Sequence, residues 1–183
     1  MYFPTTGAPT LSLADDPSIA FGTGDFTVEW SFYPLTISPG GGYPSIPVMS
    51  WGGARSVDGA NIDILFYAPD SVLVFNANNY QSGLSTPTPP TSTFVDRQVT
   101  AAVVRKDGMV SVYIDGTRIG SPVAHTKNMT HSVTAPLYIG RRQGGGNGEI
   151  IWYFNGYYSA FRITKAARYD GPSYVVPAEF TAS

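Results

Sequence analysis

Apolar side chains recur at every second position along most of this chain, and almost no stretch carries the three-to-four spacing of a helix. Phe26, Val28, Trp30 and Phe32 fall on one side of an extended segment, and Thr27, Glu29, Ser31 and Tyr33 on the other. That pattern predicts a half-buried strand. Ile62, Ile64 and Phe66 alternate with Asp63, Leu65 and Tyr67, and a short apolar run at 72–75 follows the turn signal Ala68-Pro69-Asp70. Residues 99–105 are apolar almost throughout, as expected for a central strand covered on both faces. Asp107-Gly108 then turns the chain into a strand with Val110, Val112 and Ile114 on one face, and Asp115-Gly116 turns it again. Asp-Gly suits such tips because both central residues need positive φ, so a three-stranded meander is predicted here. The one helical candidate is a turn near 165–168.

Many short strands with regular turn signals predict an all-β fold, an antiparallel β-sandwich. At 183 residues the chain is about one domain, and no linker divides it. The Ser/Thr/Pro stretch at 82–93 is read as a stiff exposed loop of polyproline geometry. Other loops are expected at 38–47, 76–93, 121–135 and 141–150, at the rims of the sheets.

Composition narrows the function. Eleven basic and thirteen acidic residues give a net charge of −2, with no basic run, which argues against a nucleic-acid partner. There are no cysteines, so neither disulfides nor thiolate chemistry are available. The first sixteen residues lack the basic and apolar regions of a signal peptide, and no apolar run approaches the ~20 residues of a membrane span. No membrane insertion is expected.

Catalytic patterns are missing. Paired carboxylates for glycoside hydrolysis sit roughly 5 Å apart or somewhat more, a spacing that alternate positions on one strand supply. The three glutamates, Glu29, Glu149 and Glu179, have no acid two positions away. There is no Gly-x-Ser-x-Gly elbow, and the glycines at 144–148 lack the Lys-Ser/Thr ending of a phosphate loop. His125 and His131 read as solvated loop histidines. Catalytic residues are therefore expected to be absent and the protein not to be an enzyme. Calcium is the one metal with a candidate, at Asp58, Asn61 and Asp63; three side chains fall short of six to eight oxygens, so no cofactor is expected.

Binding is the better use of this surface. Aromatic rings stack on the apolar faces of sugars and also anchor protein interfaces. Tyr43, Tyr80, Trp152 and Tyr153, with Arg141 and Arg142, are the candidate residues for contact with a glycan or a partner.

Several ordered segments carry a resemblance. They are LSLADDPSIAFGTGDFTVEWSFYP from Leu11, VMSWGG from Val48, VTAAVVRKDGMVSVYIDGTRIGS from Val99, and PLYIGRRQGGGNGEIIWYFNGYYSAFRITKAARY from Pro136. Together they resemble the concanavalin A-like lectin/glucanase superfamily in its laminin-G-like branch, of the type found in phage particle proteins. The resemblance implies a single concanavalin A-like jelly roll over 1–183. It implies a non-enzymatic virion protein assembled in the host cytoplasm, decorating the capsid or sitting on the tail or a fibre. Its partners would be other virion proteins, copies of itself in a homo-oligomer, and a host surface glycan. The alternative is a free carbohydrate-binding, lectin-like module. After Tyr169 the sequence departs from the family pattern, and the segments 1–9 and 170–183 are read as docking arms.

Overall fold

The computed structural model describes residues 2–3, 11–14, 16–37, 45–51, 62–67, 72–77, 84–129, 136–142 and 152–178. Within them the chain forms two six-stranded antiparallel sheets packed face to face. The first sheet runs β1 (Tyr2–Phe3), β14 (Asn155–Thr164), β3 (Phe26–Thr36), β8 (Val99–Lys106), β9 (Met109–Ile114), β10 (Thr117–Ala124). The second runs β2 (Leu11–Leu13), β11 (Leu137–Ile139), β4 (Ser45–Trp51), β5 (Ile62–Tyr67), β6 (Val72–Ala77), β7 (Leu84–Pro87). The all-β sandwich that the alternation predicts is the fold.

The inward positions are the ones the period of two selects. Phe26, Val28, Trp30 and Phe32 of β3 meet Met49, Trp51, Ile62, Ile64 and Phe66 of the second sheet in one apolar core. Its aromatic members make offset and edge contacts: Phe32 stacks on Phe66 at 5.7 Å, and Phe66 meets Phe94 edge-on at 5.1 Å. The β8–β9–β10 meander is present, with Asp107 and Asp115 at φ 49° and Gly108 and Gly116 at φ 73° and 78°. β8 lies between β3 and β9 and is buried on both faces, as its continuous apolar run predicts. Its last buried member is Arg105, whose guanidinium donates to the carbonyls of Gly22 (2.8 Å), Gly24 and Lys127 (3.1 Å) and lies over the Phe26 ring. The cation therefore ties the entry turn of β3 to the segment that follows β10.

Several sequence readings need correction. β3 is not half-buried along its first half, because Thr27 and Glu29 on its outer face are covered as completely as the core. The cover is the chain's own segment 165–178, here called the strap. The stretch at 82–93 is not one loop: Leu84–Pro87 pairs with β6 as an edge strand, and Thr91–Phe94 is a 3-10 turn that buries Phe94. His125 is 4% exposed rather than solvated, because its backbone N–H binds Gly108 O at 2.7 Å and seats it against the β8–β9 turn. Each expected loop also gives residues to a strand. Ser45–Pro47, Asn76–Ala77, Val123–Ala124 and Arg141–Arg142 all pair within a sheet or the ribbon, and Pro47 is tolerated at a register irregularity in β4. His131 and the glycines at 144–148 lie outside the described residues.

The strap is held by backbone and by rings. Arg118 N donates to Pro172 O (2.9 Å) and Tyr174 N to Gly116 O (2.8 Å). A Cβ on Gly116 would stand 2.5 Å from the Tyr174 carbonyl oxygen. Thr27 Oγ1 donates to Ala166 O (2.8 Å) and accepts from Arg168 N (3.0 Å). The Tyr169 and Tyr174 rings stack at 3.7 Å, and Tyr113 from β9 meets both edge-on while donating to Gly171 O at 2.9 Å. The described part of the segment expected to form the second arm is thus docked on the chain's own first sheet.

Burial raises the pKa of both Tyr169 and Tyr174 above the usual 10.0, since desolvation disfavours the phenolate; the hydrogen bond to Glu29 adds to this at Tyr169. In the unfolded chain these phenols ionise more easily. The strap's contribution is therefore complete below about pH 10 and is lost as pH rises from there through the higher folded-state values. Denaturant titrations between about pH 8 and 11.5 are expected to show stability falling only in the upper part of that range, with a smaller fall in Tyr174→Phe. Stability that stays flat across the range would contradict this.

Candidate functional site

β11 ends at Gly140, whose φ of 72° swings the chain off the second sheet. Two anchors fix this corner: Gly140 N donates to Val48 O (2.8 Å), and Phe154 N donates to Gly140 O (2.7 Å). Between them β12 (Arg141–Arg142) pairs with β13 (Trp152–Tyr153) as a two-stranded ribbon beside β4, with Arg141 opposite Tyr153 and Arg142 opposite Trp152. Four of the six residues that the sequence nominates are therefore neighbours, although ten positions separate Arg142 from Trp152. Tyr43 and Tyr80 lie outside the described residues.

The floor beside the ribbon is a row of polar positions on the outer face of the second sheet. Tyr138 of β11 is opposite Ser50 of β4, and Ser50 is opposite Asp63 of β5. Their flanking residues Leu137, Ile139, Met49, Trp51, Ile62 and Ile64 fill the core, so the row faces outward. Asp63 nonetheless has a side chain only 3% exposed, and it pairs with Arg142 Nε at 3.4 Å, itself 16% exposed. An enclosed pair of this kind keeps the ribbon down, because separating it would leave a buried charge alone. Of the calcium trio only Asp63 is described, and it faces Arg142. Among the described residues no group of three His, Cys, Asp or Glu side chains gathers to hold a metal.

Arg141 is arranged differently. Its guanidinium lies 4.6 Å from the Tyr138 ring centroid and 5.9 Å from that of Tyr153. Such packing draws the cation to the rings without neutralising its charge. The Nε–H is buried without a hydrogen-bond partner, and so is the hydroxyl of Ser50. Tyr138 and Ser50 are not among the residues the sequence nominates. The signal that could have found them is the alternation in Leu137-Tyr138-Ile139 and Met49-Ser50-Trp51, which marks them as outward-facing.

A second polar cluster lies under the strap. Glu29 accepts from Arg162 Nε (2.7 Å) and from the Tyr169 hydroxyl (2.7 Å), forms an ion pair with Arg168 (3.3 Å), and is 0% exposed. Its carboxylate is fully engaged and closed to solvent, so it is unsuited to proton transfer with a substrate. Against the strap's last residues, Pro177 and Ala178, a recess of about 430 Å³ is lined by Ser31, Thr100 and Ser159, and their hydroxyls and the Gln98 amide bond chiefly to one another.

The laminin G-type sequence profile of the concanavalin A-like lectin/glucanases superfamily matches residues 5–170. The chain belongs to that superfamily. The match stops within the strap, so Gly171–Tyr174, which complete its docking on β9 and β10, lie beyond the superfamily pattern. No curated protein matches by sequence. Solved structures share the fold at low identity. Domains LG4-5 of the mouse laminin α1 chain superpose with a TM-score of 0.59 at 14% identity, covering 93% of this chain and 44% of that one. Domain 4 of an extracellular arabinanase from Geobacillus stearothermophilus, in complex with arabinotriose, gives 0.57 at 14%, covering 88% and 68%. A carbohydrate-binding module of the Ruminococcus gnavus IT-sialidase, bound to α2,3-sialyllactose, gives 0.60 at 10%, covering 86% and 90%. At these identities the likeness establishes the lectin-type sandwich. Among the described residues of this member, no helix is long and apolar enough to cross a membrane.

Proposed function

We propose that this domain is a non-enzymatic, lectin-like module that holds a glycan at the β12–β13 ribbon. The observation that carries the reading is Arg141, clasped by Tyr138 and Tyr153 with its Nε–H unspent, on a ribbon fixed by the Asp63–Arg142 pair. Rings that can stack beside a donor-rich edge are what a sugar needs, with its apolar ring faces and its hydroxyl rim. The arabinanase domain carries a bound neutral oligosaccharide and the sialidase module an acidic one, which supports carbohydrate as the ligand class. A glycan array, followed by calorimetry on the hits, tests the reading. Saturable binding without turnover of the bound glycan is expected. A folded protein that retains no glycan across the panel would sink it.

The wider setting is a second proposal. On this reading the domain belongs to a phage particle, as capsid decoration or on the tail or a fibre, where the ribbon would meet host surface glycans. The similarity of FNG…RIT…ARY at 154–169 to phage particle proteins supports this, as does the exposure of Leu11 and Leu13 on edge strand β2. An edge strand with exposed apolar side chains is suited to a neighbour in an assembly. Gold-labelled antibody on purified particles would reveal head or tail label, and absence of label would leave the free lectin-like module.

A further inference from the structure

We infer that Arg141 makes the ribbon selective for sugars that carry a carboxylate. This inference rests on the lectin-like reading above and narrows it to one ligand chemistry. Two arginines stand side by side on β12, and the structure treats them oppositely. Arg142 is neutralised by Asp63. Arg141 has tyrosine rings as its partners and no acceptor for its Nε–H, and among the described residues no carboxylate faces it. Among the described residues the patch thus keeps one positive charge in surplus, in a chain whose formal net charge is −2.

The geometry fits a planar oxyanion better than a hydroxyl. The rings at 4.6 and 5.9 Å hold the guanidinium, whose own planarity makes its N–H groups a preset fork. A carboxylate accepts two parallel N–H bonds from such a fork, whereas a sugar hydroxyl takes one weaker bond. Ser50 adds an independent sign that the patch is incomplete alone. It is 1% exposed, its hydroxyl has no partner, and its register places it between Tyr138 and Asp63. A buried hydroxyl in that state is completed by an ordered water or by a ligand group that displaces it. The other occupant with this chemistry is an Asp or Glu side chain of a protein partner. The polar floor favours the sugar, since the centres of protein interfaces are apolar and depleted in charge.

The test is calorimetry with the whole chain, using α2,3-sialyllactose, its methyl ester, lactose and an oligogalacturonate. Both carboxylated probes are expected to bind at least about tenfold tighter than lactose, and the methyl ester to fall to the level of lactose. The ester removes the charge from the ligand, so this comparison needs no variant to fold. Arg141→Gln is expected to lose the preference for acid while its thermal midpoint holds. Arg141→Lys should recover little of it, because a point charge replaces the fork. Equal binding of acid, ester and neutral sugar, unchanged in Arg141→Gln, would overturn the inference and leave the lectin-like reading intact. Binding of none of the probes or of an array would overturn both. Self-association that Arg141→Gln abolishes, with no sugar bound, would assign Arg141 to a protein contact and also overturn the inference.

Discussion

Glu29→Ala is expected to destabilise the domain by about 3–5 kcal/mol, the cost of removing one partner from a buried ionic cluster. Glu29 is 0% exposed and Arg162, at 2.6 Å, is 9% exposed. Their hydrogen bond raises the Arg162 pKa in the native protein, and without it an arginine guanidinium still keeps its charge. With the carboxylate gone, a desolvated cation has no counter-charge, and Arg168 and Tyr169 lose the group that seats the strap. For a chain of this size the loss corresponds to a fall in thermal midpoint on the order of 10 °C. Glu29→Gln keeps the shape and a hydrogen bond for Tyr169 but not the charge, and is expected to fall between the two. Calorimetric or denaturant unfolding measures the loss, and limited proteolysis at 165–178 reports whether the strap leaves first. A loss under about 1 kcal/mol would mean that the cluster only breaks even against solvent, as many ion pairs do.

Gly156→Ala is expected to cost about 3 kcal/mol or more, for a steric reason. Gly156 belongs to the FNG sequence at the entry to β14, where the register with β3 shifts. Its φ is 153°, and a Cβ there would stand 2.2 Å from Tyr33 O, 2.8 Å from Phe154 Cζ and 2.9 Å from Pro34 Cα. Two of those atoms are backbone of the paired strand, so the sheet itself would have to open. Gly120→Ala is the matched control. It also has positive φ, 67°, but nothing lies within 4 Å of the added carbon. Its cost is expected to be the conformational one alone, about 1–2 kcal/mol. Equal losses for the two variants in denaturant unfolding would show that φ, rather than close approach, governs Gly156.

Much of the fold is legible in the sequence, and much of the site is not. Alternation places Trp30, Phe32, Ile64 and Phe66 in the core, and Asp107-Gly108 and Asp115-Gly116 place the meander. Both signals are local. A period of two follows from strand geometry, and positive φ at a hairpin tip follows from side-chain sterics at that residue. For the site, proximity along the chain suggests Arg141, Arg142, Trp152 and Tyr153 together, and the ribbon joins them. It does not suggest Tyr138 or Ser50, nor that one arginine is paired and the other left open. The reading of β3 as half-buried fails because nothing within the strand signals a strap that begins after the chain has crossed the sandwich and returned.

The sequence by itself determined the strands, their inward faces, the tips of the meander and the membership of a lectin-type superfamily, because each depends on neighbours a few positions apart or on ordered motifs. Only the tertiary structure decided the company of the polar side chains. Glu29 meets Arg162 and Tyr169 from 133 and 140 positions away, and Asp63 meets Arg142 from 79. Those meetings depend on strand order, on register and on where the strap comes to rest, and a shift of one residue would turn each side chain to the opposite face.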